Sequence, residues 1–533
     1  MIRFIMAGIL CTATGASATL RTSATLDHRE PCRDRPVLSG PEITLQSTSG
    51  FFLVHYTNAG SDAVTAEYVD SAAALADSAR SSIVSTLGFP DPPSDLGNGG
   101  SPLYDIYILS LGASVSGYTQ VDFYTSGFYE DIAAASYIGL ASGLTSDELA
   151  ASAAHHVMHA SVYGYSASEP GAWVIQTGGW VEEHVFPETD VWQTLTANYL
   201  INCHSYLFDS DGFTEHGALL WPKFLDEYSG DTDIVRRIWY RCAMTEGANT
   251  VGASDSEIQS SLGIALEFAY QIFTSWNYIS GIRDDGLHYD EGNHVTGSVP
   301  LLASHSVYPV SGTSGILTAP HGLGCNYIEF LPEDDSPLHI TVSGETGSGE
   351  WGGAVVSETA EGAYVFEPFA ISSETGFGDT LITGFSDLAR VILIVHNLKR
   401  WADPPGVFSY TADQTSTPSV PMNLRAFRQS DFVLLSWDAS TDPNGDLAGY
   451  HVYRSETPHE DTTEMVRIGD TVSDEDLITP GIQWTDENYL GADVIGDIEH
   501  NYFYRISAVD LQNNESPGSN GAGEIDYELD DGP

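Results

Sequence analysis

Apolar and polar positions first alternate at residues 51–56, Phe-Phe-Leu-Val-His-Tyr, which predicts a strand; at 64–87 an alanine-rich pattern with a helical period takes over. The run Gly88-Phe-Pro-Asp-Pro-Pro stops that helix, because proline removes a backbone donor and fixes φ. Short apolar runs predict strands at 104–109 and 137–140, with a Gly/Ser/Tyr-rich stretch between them. From Thr145 the period becomes helical and stays so to about residue 280. Thr145 with Glu148 three residues later is a capping-box pair, so a helix opens there and runs through His155 and His159 to Gly164. Further helices are predicted at 172–185, 190–207, 217–228, 231–243 and 266–279.

The pattern changes again between residues 299 and 411. Short β-type runs at 339–342, 363–366 and 391–395 alternate with Gly, Ser and Asp clusters, which predicts a β-sandwich. A Ser/Thr/Pro-rich linker covers 414–420. Beyond it stand Pro421, Trp437 in Leu434-Leu-Ser-Trp437, Tyr450-His-Val-Tyr-Arg454, Tyr502-Phe-Tyr-Arg-Ile-Ser-Ala-Val-Asp510 and Asn514-Glu-Ser-Pro517. Over about 100 residues this resembles a fibronectin type III domain, a resemblance that implies a second β-sandwich with Trp437 and the tyrosines in its core.

Composition adds a compartment and excludes partners. Met1-Ile-Arg3, an apolar stretch over 4–13 and Ala16-Ser-Ala18 predict a signal peptide at 1–18, hence a secreted, extracellular or cell-surface protein. No apolar run reaches the roughly 18 residues a spanning helix needs, so no membrane insertion is expected. The 74 acidic against 19 basic residues give a formal charge of −55, and only Lys223 and Lys399 are lysines. Such a field repels nucleic acid and anionic membranes. Past the signal peptide remain Cys32, Cys203, Cys242 and Cys325. Cys203 and Cys242, both in segments read as helical, are the expected disulfide pair; four buried free thiols are the alternative.

The segment that bears chemistry is Ala153-Ala-His-His-Val-Met-His-Ala160, followed by Trp173-Val-Ile-Gln-Thr-Gly-Gly-Trp-Val-Glu-Glu-His-Val-Phe-Pro187. His155 and His159 are four apart, so both imidazoles leave one helix face and can hold one zinc ion. Here the chain resembles a family of secreted bacterial metallopeptidases of the gluzincin type, over roughly residues 51–281. The resemblance implies a His-Glu-x-x-His helix and, about 17 residues on, a second helix whose Trp-x-x-Glu supplies a third zinc ligand. Two positions depart from it. His156 stands where the family has its general-base glutamate, and Gln176 where it has the third ligand. Glu183, seven residues past Gln176, is the substitute ligand to consider, and His156, Glu182 and His184 are the candidates to join a rearranged site.

Losing both carboxylates removes the proton shuttle for the metal-bound water and an anionic ligand. The expected architecture is therefore multidomain. A zincin-like, metallopeptidase-like α+β domain with a helical second half (45–285) precedes a β-sandwich (296–413), a fibronectin type III-like β-sandwich (418–520) and an acidic tail (521–533). The expected function is binding of an extracellular protein or peptide by a catalytically impaired metallopeptidase homologue. The alternatives are a divergent active zinc endopeptidase and a structural or adhesive surface protein.

Overall fold

The computed structural model describes residues 26–28 and 34–523, apart from 113, 128–131, 334–336, 348, 403, 415–417, 429–431, 443–446, 460, 473–481, 487–501 and 511–513. The expected signal peptide, Cys32 and most of the acidic tail lie outside the described residues.

The first unit is built on a six-stranded sheet of order β1-β5-β6-β4-β3-β2. Its strands are β1 (Leu26–His28), β2 (Ile43–Gln46), β3 (Phe52–Tyr56), β4 (Tyr104–Leu109), β5 (Gly117–Thr125) and β6 (Ala133–Ala141). β3, β4 and β6 pair in parallel, and β5 runs antiparallel to β6. A parallel neighbour demands a crossover, and α1 (Ala66–Arg80) supplies it between β3 and β4. Its Ala72, Ala73, Ala76 and Ala79 are buried, so the helix lies close to its neighbours. α2 (Ser146–Val162) follows β6, and α3 (Gly171–Val185) packs beside it. The capping box forms as the sequence predicts: Glu148 N–H donates to Thr145 Oγ1 at 3.3 Å, and Thr145 N–H donates to Glu148 Oε2 at 2.9 Å. β5 falls in the stretch whose Gly, Ser and Tyr content hid a strand.

The helical half continues through α4 (Thr196–Leu200), α5 (Thr214–Gly217), α6 (Leu220–Ser229), α7 (Asp233–Ala243), α8 (Thr250–Leu262) and α9 (Leu266–Tyr278). The single helix expected over 190–207 is a 3-10 turn and the short α4, after which the chain turns. There its backbone bonds leave the helix for a strand segment: His321 N–H donates to the His204 carbonyl, and Cys325 N–H to the Cys203 carbonyl, both at 2.9 Å. α8 has no counterpart in the sequence reading. Its Glu257 is held by Arg237 and Arg241 of α7, both at 2.6 Å.

The expected Cys203–Cys242 disulfide is not made; Cys203, Cys242 and Cys325 are free and buried. Cys242 lies on α7 toward Thr250 and Glu169, whereas the neighbour of Cys203 is Cys325.

A sandwich follows. Its five-stranded sheet has the order β12-β11-β14-β9-β7, and its four-stranded sheet β13-β10-β15-β8. These are β7 (Leu301–His305), β8 (Val310–Thr313), β9 (Gly324–Phe330), β10 (Leu338–Gly344), β11 (Trp351–Thr359), β12 (Tyr364–Phe369), β13 (Phe377–Ile382), β14 (Leu388–Asn397) and β15 (Phe408–Asp413). On β14, Val391, Leu393 and Val395 belong to the core between the sheets, while Ile392 and Ile394 join Tyr327 and Val356 in the core of the helical unit. Both faces of β14 are buried, which is why residues 391–395 are uninterruptedly apolar. Thr274 Oγ1 meets His396 Nε2 at 2.7 Å, and Arg400 pairs with Glu267 at 2.6 Å and Asp255 at 2.8 Å across the same seam.

The C-terminal module has a separate core. β16 (Met422–Arg428), β17 (Val433–Asp438) and β20 (Ile482–Asp486) form one sheet; β19 (Val466–Val472), β18 (Leu447–Ser455), β21 (Phe503–Asp510) and β22 (Ala522–Gly523) form the other. Trp437 packs edge-on against Tyr450 at 5.2 Å between ring centroids, and Ser440 N–H donates to the Tyr450 hydroxyl at 2.9 Å.

One buried charge site ties the segment before β2 to the first sheet. Arg35 Nη2 lies 2.7 Å from Asp95, 3.0 Å from Asp122 and 3.4 Å from Asp105, and the side chains of Asp105 and Asp122 are fully buried. Arg35→Ala strands these carboxylates without their cation and is expected to cost about 3–5 kcal/mol in urea unfolding. Arg80→Ala, which breaks the solvent-facing pair with Asp91, should cost less than about 1 kcal/mol. Equal effects would show that the buried cluster does not need its arginine. Because the C-terminal core is its own, residues 418–523 expressed alone should unfold cooperatively, and Trp437→Ala should remove about 3–5 kcal/mol or abolish folding. A non-cooperative melt of the wild-type fragment would contradict this.

Candidate functional site

α2 brings the three histidines to one place. The ring centroids of His155 and His159 are 4.5 Å apart, and that of His156 lies 5.2 and 5.4 Å from them. Every residue from Leu149 to Val162 is buried. His156 and His159 are enclosed, and His155 reaches a cleft of about 630 Å³. The cleft is bounded by the β4–β5 connection, the start of α2 and the 189–195 segment, with Asp147, Glu148, Glu182 and Asp190 in its wall and, among the described residues, no lysine or arginine.

Two glycines set the depth of the cluster. A Cβ on Gly178 would lie 2.7 Å from His155 Nε2, and one on Gly117 2.5 Å from His156 Nε2. Neither helix α3 nor strand β5 could approach α2 as it does with a side chain at these positions. His155 Nδ1 is bonded to Glu182 Oε1 at 2.7 Å, which leaves its Nε2 without a hydrogen-bond partner among the described residues. His156 Nδ1 meets Thr119 Oγ1 of β5 at 3.1 Å, turned toward the sheet.

The predicted replacements are placed apart. Gln176 is buried and its Nε2 donates to the Leu207 carbonyl at 2.8 Å. Glu183 accepts from Lys223 Nζ at 2.7 and 2.8 Å and so serves an ion pair. His184 bonds Asp226 at 2.8 Å. Glu182 alone of the alternatives joins the histidines. The reading missed His216 on α5, which lies close enough to His155 and His156 to interact with both. Nothing in Thr214-Glu-His-Gly217 marks it, because only the fold brings it back to α2.

Burial governs the charges. It holds the His156 pKa well below the usual imidazole range, with the neighbouring His155 and His216 acting the same way. His216 is pushed down to about 3, again first by burial and then by His155. Burial raises the Glu182 carboxyl, against the pull of its bond to His155. Glu215 is raised to about 7 by burial, although it accepts from the backbone N–H groups of Gly212 and Phe213.

Among the described residues, His155 and His159 belong to no group of three His, Cys, Asp or Glu whose ligand atoms lie within 4.8 Å of one another. Among the described residues, the group that brings three such atoms within 4.8 Å is Asp190, Glu291 and His294. Gln193 Nε2 stands among them, 2.8 Å from Asp190, 3.3 Å from Glu291 and 3.2 Å from His294. These residues are about a hundred positions apart in sequence, so no local motif announces them.

No family model matches the chain. No curated protein matches it either. Among solved structures, pectate lyase Pel3 from Pectobacterium carotovorum aligns at 20% identity over 21% of this chain and 29% of its own, with a TM-score of 0.15. The chain thus spans under a third of that lyase. Titin module A71 from human cardiac muscle aligns at 16% identity over 21% of this chain and 96% of its own, TM-score 0.15. The chicken CNTN1 FN1-FN3 domains align at 16% identity over 33% and 54%, TM-score 0.16. At such TM-scores these likenesses carry no argument. The fibronectin type III-like character of the C-terminal module rests on its own three-on-four sheet arrangement.

The neutral histidines predict a pH response. A histidine whose folded pKa lies below its unfolded value favours folding fully above pH ~6.5, and that advantage is lost as pH falls toward the folded pKa. For His216 the window runs from 6.5 down to about 3. Between pH 7 and pH 5 the stability of His216→Gln relative to the wild type should therefore rise by about 2 kcal/mol, measured by urea unfolding at both pH values. A pH-independent difference would mean that His216 is not held neutral.

Proposed function

We propose that this chain is an exported, metallopeptidase-like protein of gluzincin type that binds peptide-like ligands bearing cationic groups in the cleft beside α2 and does not hydrolyse them. The observation that carries this reading is the setting of His156. The side chain at the position of the general base is enclosed, neutral and turned toward Thr119 and Gly117, away from the cleft. A proton shuttle must touch the attacking water, and this imidazole does not reach the space where one would lie.

Zinc fits the residues poorly. His155 and His159 supply two imidazoles, but Gln176 is neutral and bonded to Leu207, and Glu183 is paired with Lys223. Two neutral ligands without a carboxylate leave a zinc site short of both charge and coordination number. The ligand chemistry follows from the wall of the cleft, where Asp147 and Asp190 stand and, among the described residues, no lysine or arginine lines the space. A lysine or arginine side chain of an extended peptide supplies the missing positive charge.

One observation favours a second reading, a divergent active zinc peptidase. The Glu182 carboxylate orients His155 through Nδ1 and leaves Nε2 without a hydrogen-bond partner among the described residues, as carboxylates do behind metal-bound imidazoles.

Calorimetric titration of the full chain with lysine-rich and glutamate-rich peptides of equal length separates these outcomes. The basic peptide should bind, about tenfold or more weaker in Asp190→Asn or at 0.5 M salt, and should be recovered intact. Zinc-dependent cleavage by the wild type, lost in His159→Ala, would overturn the reading. If the metallopeptidase likeness is sound, His156→Glu alone restores nothing, whereas His156→Glu with Gln176→Glu raises zinc affinity.

A further inference from the structure

Cys203 and Cys325 meet at the seam between the helical unit and the first sandwich. Cys203 lies in the turns after α4 and Cys325 on β9. The backbone N–H of Cys325 donates to the Cys203 carbonyl at 2.9 Å, and the Cys203 thiol has the Cys325 thiol as its neighbour. A single backbone bond from one residue to the other keeps their Cα atoms within about 7 Å, at or inside the span a disulfide bridges. Both side chains are buried, in a core that also holds Tyr199, Tyr270 and Tyr327, and the histidine cleft uses neither thiol. Cys242 is enclosed elsewhere, beside Thr250 and Glu169.

We propose that Cys203 and Cys325 form a disulfide as the chain folds in an oxidising compartment, a covalent modification that fastens the helical unit with its cleft to the first sandwich. The bond forms by thiol–disulfide exchange with a disulfide oxidant, either oxidised glutathione or a disulfide-donating oxidoreductase. One cysteine thiolate attacks the oxidant and releases its first thiol; the second cysteine thiolate attacks the mixed disulfide and releases the other. Two S–H bonds break and one S–S bond forms. The two electrons and both protons leave with the two reduced thiols of the oxidant.

Burial sets the timing. Once the seam is closed, Cys203 is kept protonated by the neighbouring Cys325 and by enclosure, so no thiolate faces the solvent. Exchange therefore precedes docking, and the bridge then closes a long loop, the case in which a cross-link constrains the unfolded chain most. This inference rests on the proposed export but not on the ligand-binding reading, and its test supplies the oxidant directly.

The test refolds the full chain from the reduced, unfolded state in reduced and oxidised glutathione, alkylates it with iodoacetamide, and maps peptides by mass spectrometry without reduction. The expected result is a linked pair of Cys203 and Cys325 peptides, with Cys242 alkylated, and the same link in Cys242→Ser. Dithiothreitol should lower the melting temperature of the refolded wild type by roughly 5 °C or more. The Cys203→Ser, Cys325→Ser double variant should melt like the reduced wild type and ignore dithiothreitol. Alkylation of both Cys203 and Cys325, a Cys203 link to Cys242 or Cys32, or a dithiothreitol response that survives in the double variant would each overturn the proposal. The peptide map decides even if the double variant fails to fold.

Discussion

The site depends on the burial of α2 on every side. A helix with no solvent-facing stripe draws partners for its polar groups from the elements packed on it, because an unpaired buried group costs as much as a lost hydrogen bond, and here the Nε2 atoms of His155 and His156 still find none among the described residues. The histidines of α2 therefore draw Thr119 from β5, Glu182 from α3 and the bare backbones of Gly117 and Gly178 into contact. The same burial holds His156 neutral, with the neighbouring His155 and His216 acting in the same direction.

A second constraint is that the helical unit does not close its own core. The face of α9 lies on β11, β12 and β14, and the apolar cluster that begins under α1 extends to Ile392 and Ile394 of the sandwich. The five-stranded sheet is thus a wall shared by two cores. Its outward face is apolar where the outer face of a free-standing antiparallel sandwich would be polar. The sandwich serves the cleft indirectly, by holding α9 and the turns around Cys203 against the helices that carry the histidines.

Much of this was legible before any coordinates. The capping box at Thr145, the alanine face of α1, the stop at Gly88-Phe-Pro and the Trp437/Tyr450 core are local patterns, and each appears where its chemistry predicts. The spacing of His155 and His159 also gave their common face. What stayed hidden was set by distant partners. The helix expected over 190–207 ends early because β9 and the segment before it take its carbonyls, and Cys203 consequently faces Cys325 rather than Cys242. His216 enters the cluster from 57 residues beyond His159, in a helix of only one turn. No periodicity spans such distances; only the packing of α5 against α3 and α4 brings them together.

The scarcity of basic residues gives the cleft its character. In a chain with 74 acidic and 19 basic residues, several of the described cations stand beside carboxylates that are wholly or partly buried. Arg35 serves three aspartates, Lys223 serves Glu183 and Glu227, Arg390 serves Glu329 and Glu358, and Arg454 serves Asp486. Burial makes that placement necessary, since a carboxylate removed from water without a counter-charge costs several kcal/mol and shifts its pKa instead. Carboxylates around an open cleft are under no such compulsion, because water and mobile counterions solvate them. Asp147 and Asp190 stand in the wall with no lysine or arginine beside them among the described residues, so their field extends into the cleft. A ligand that brings its own positive charge meets that field without displacing any protein cation.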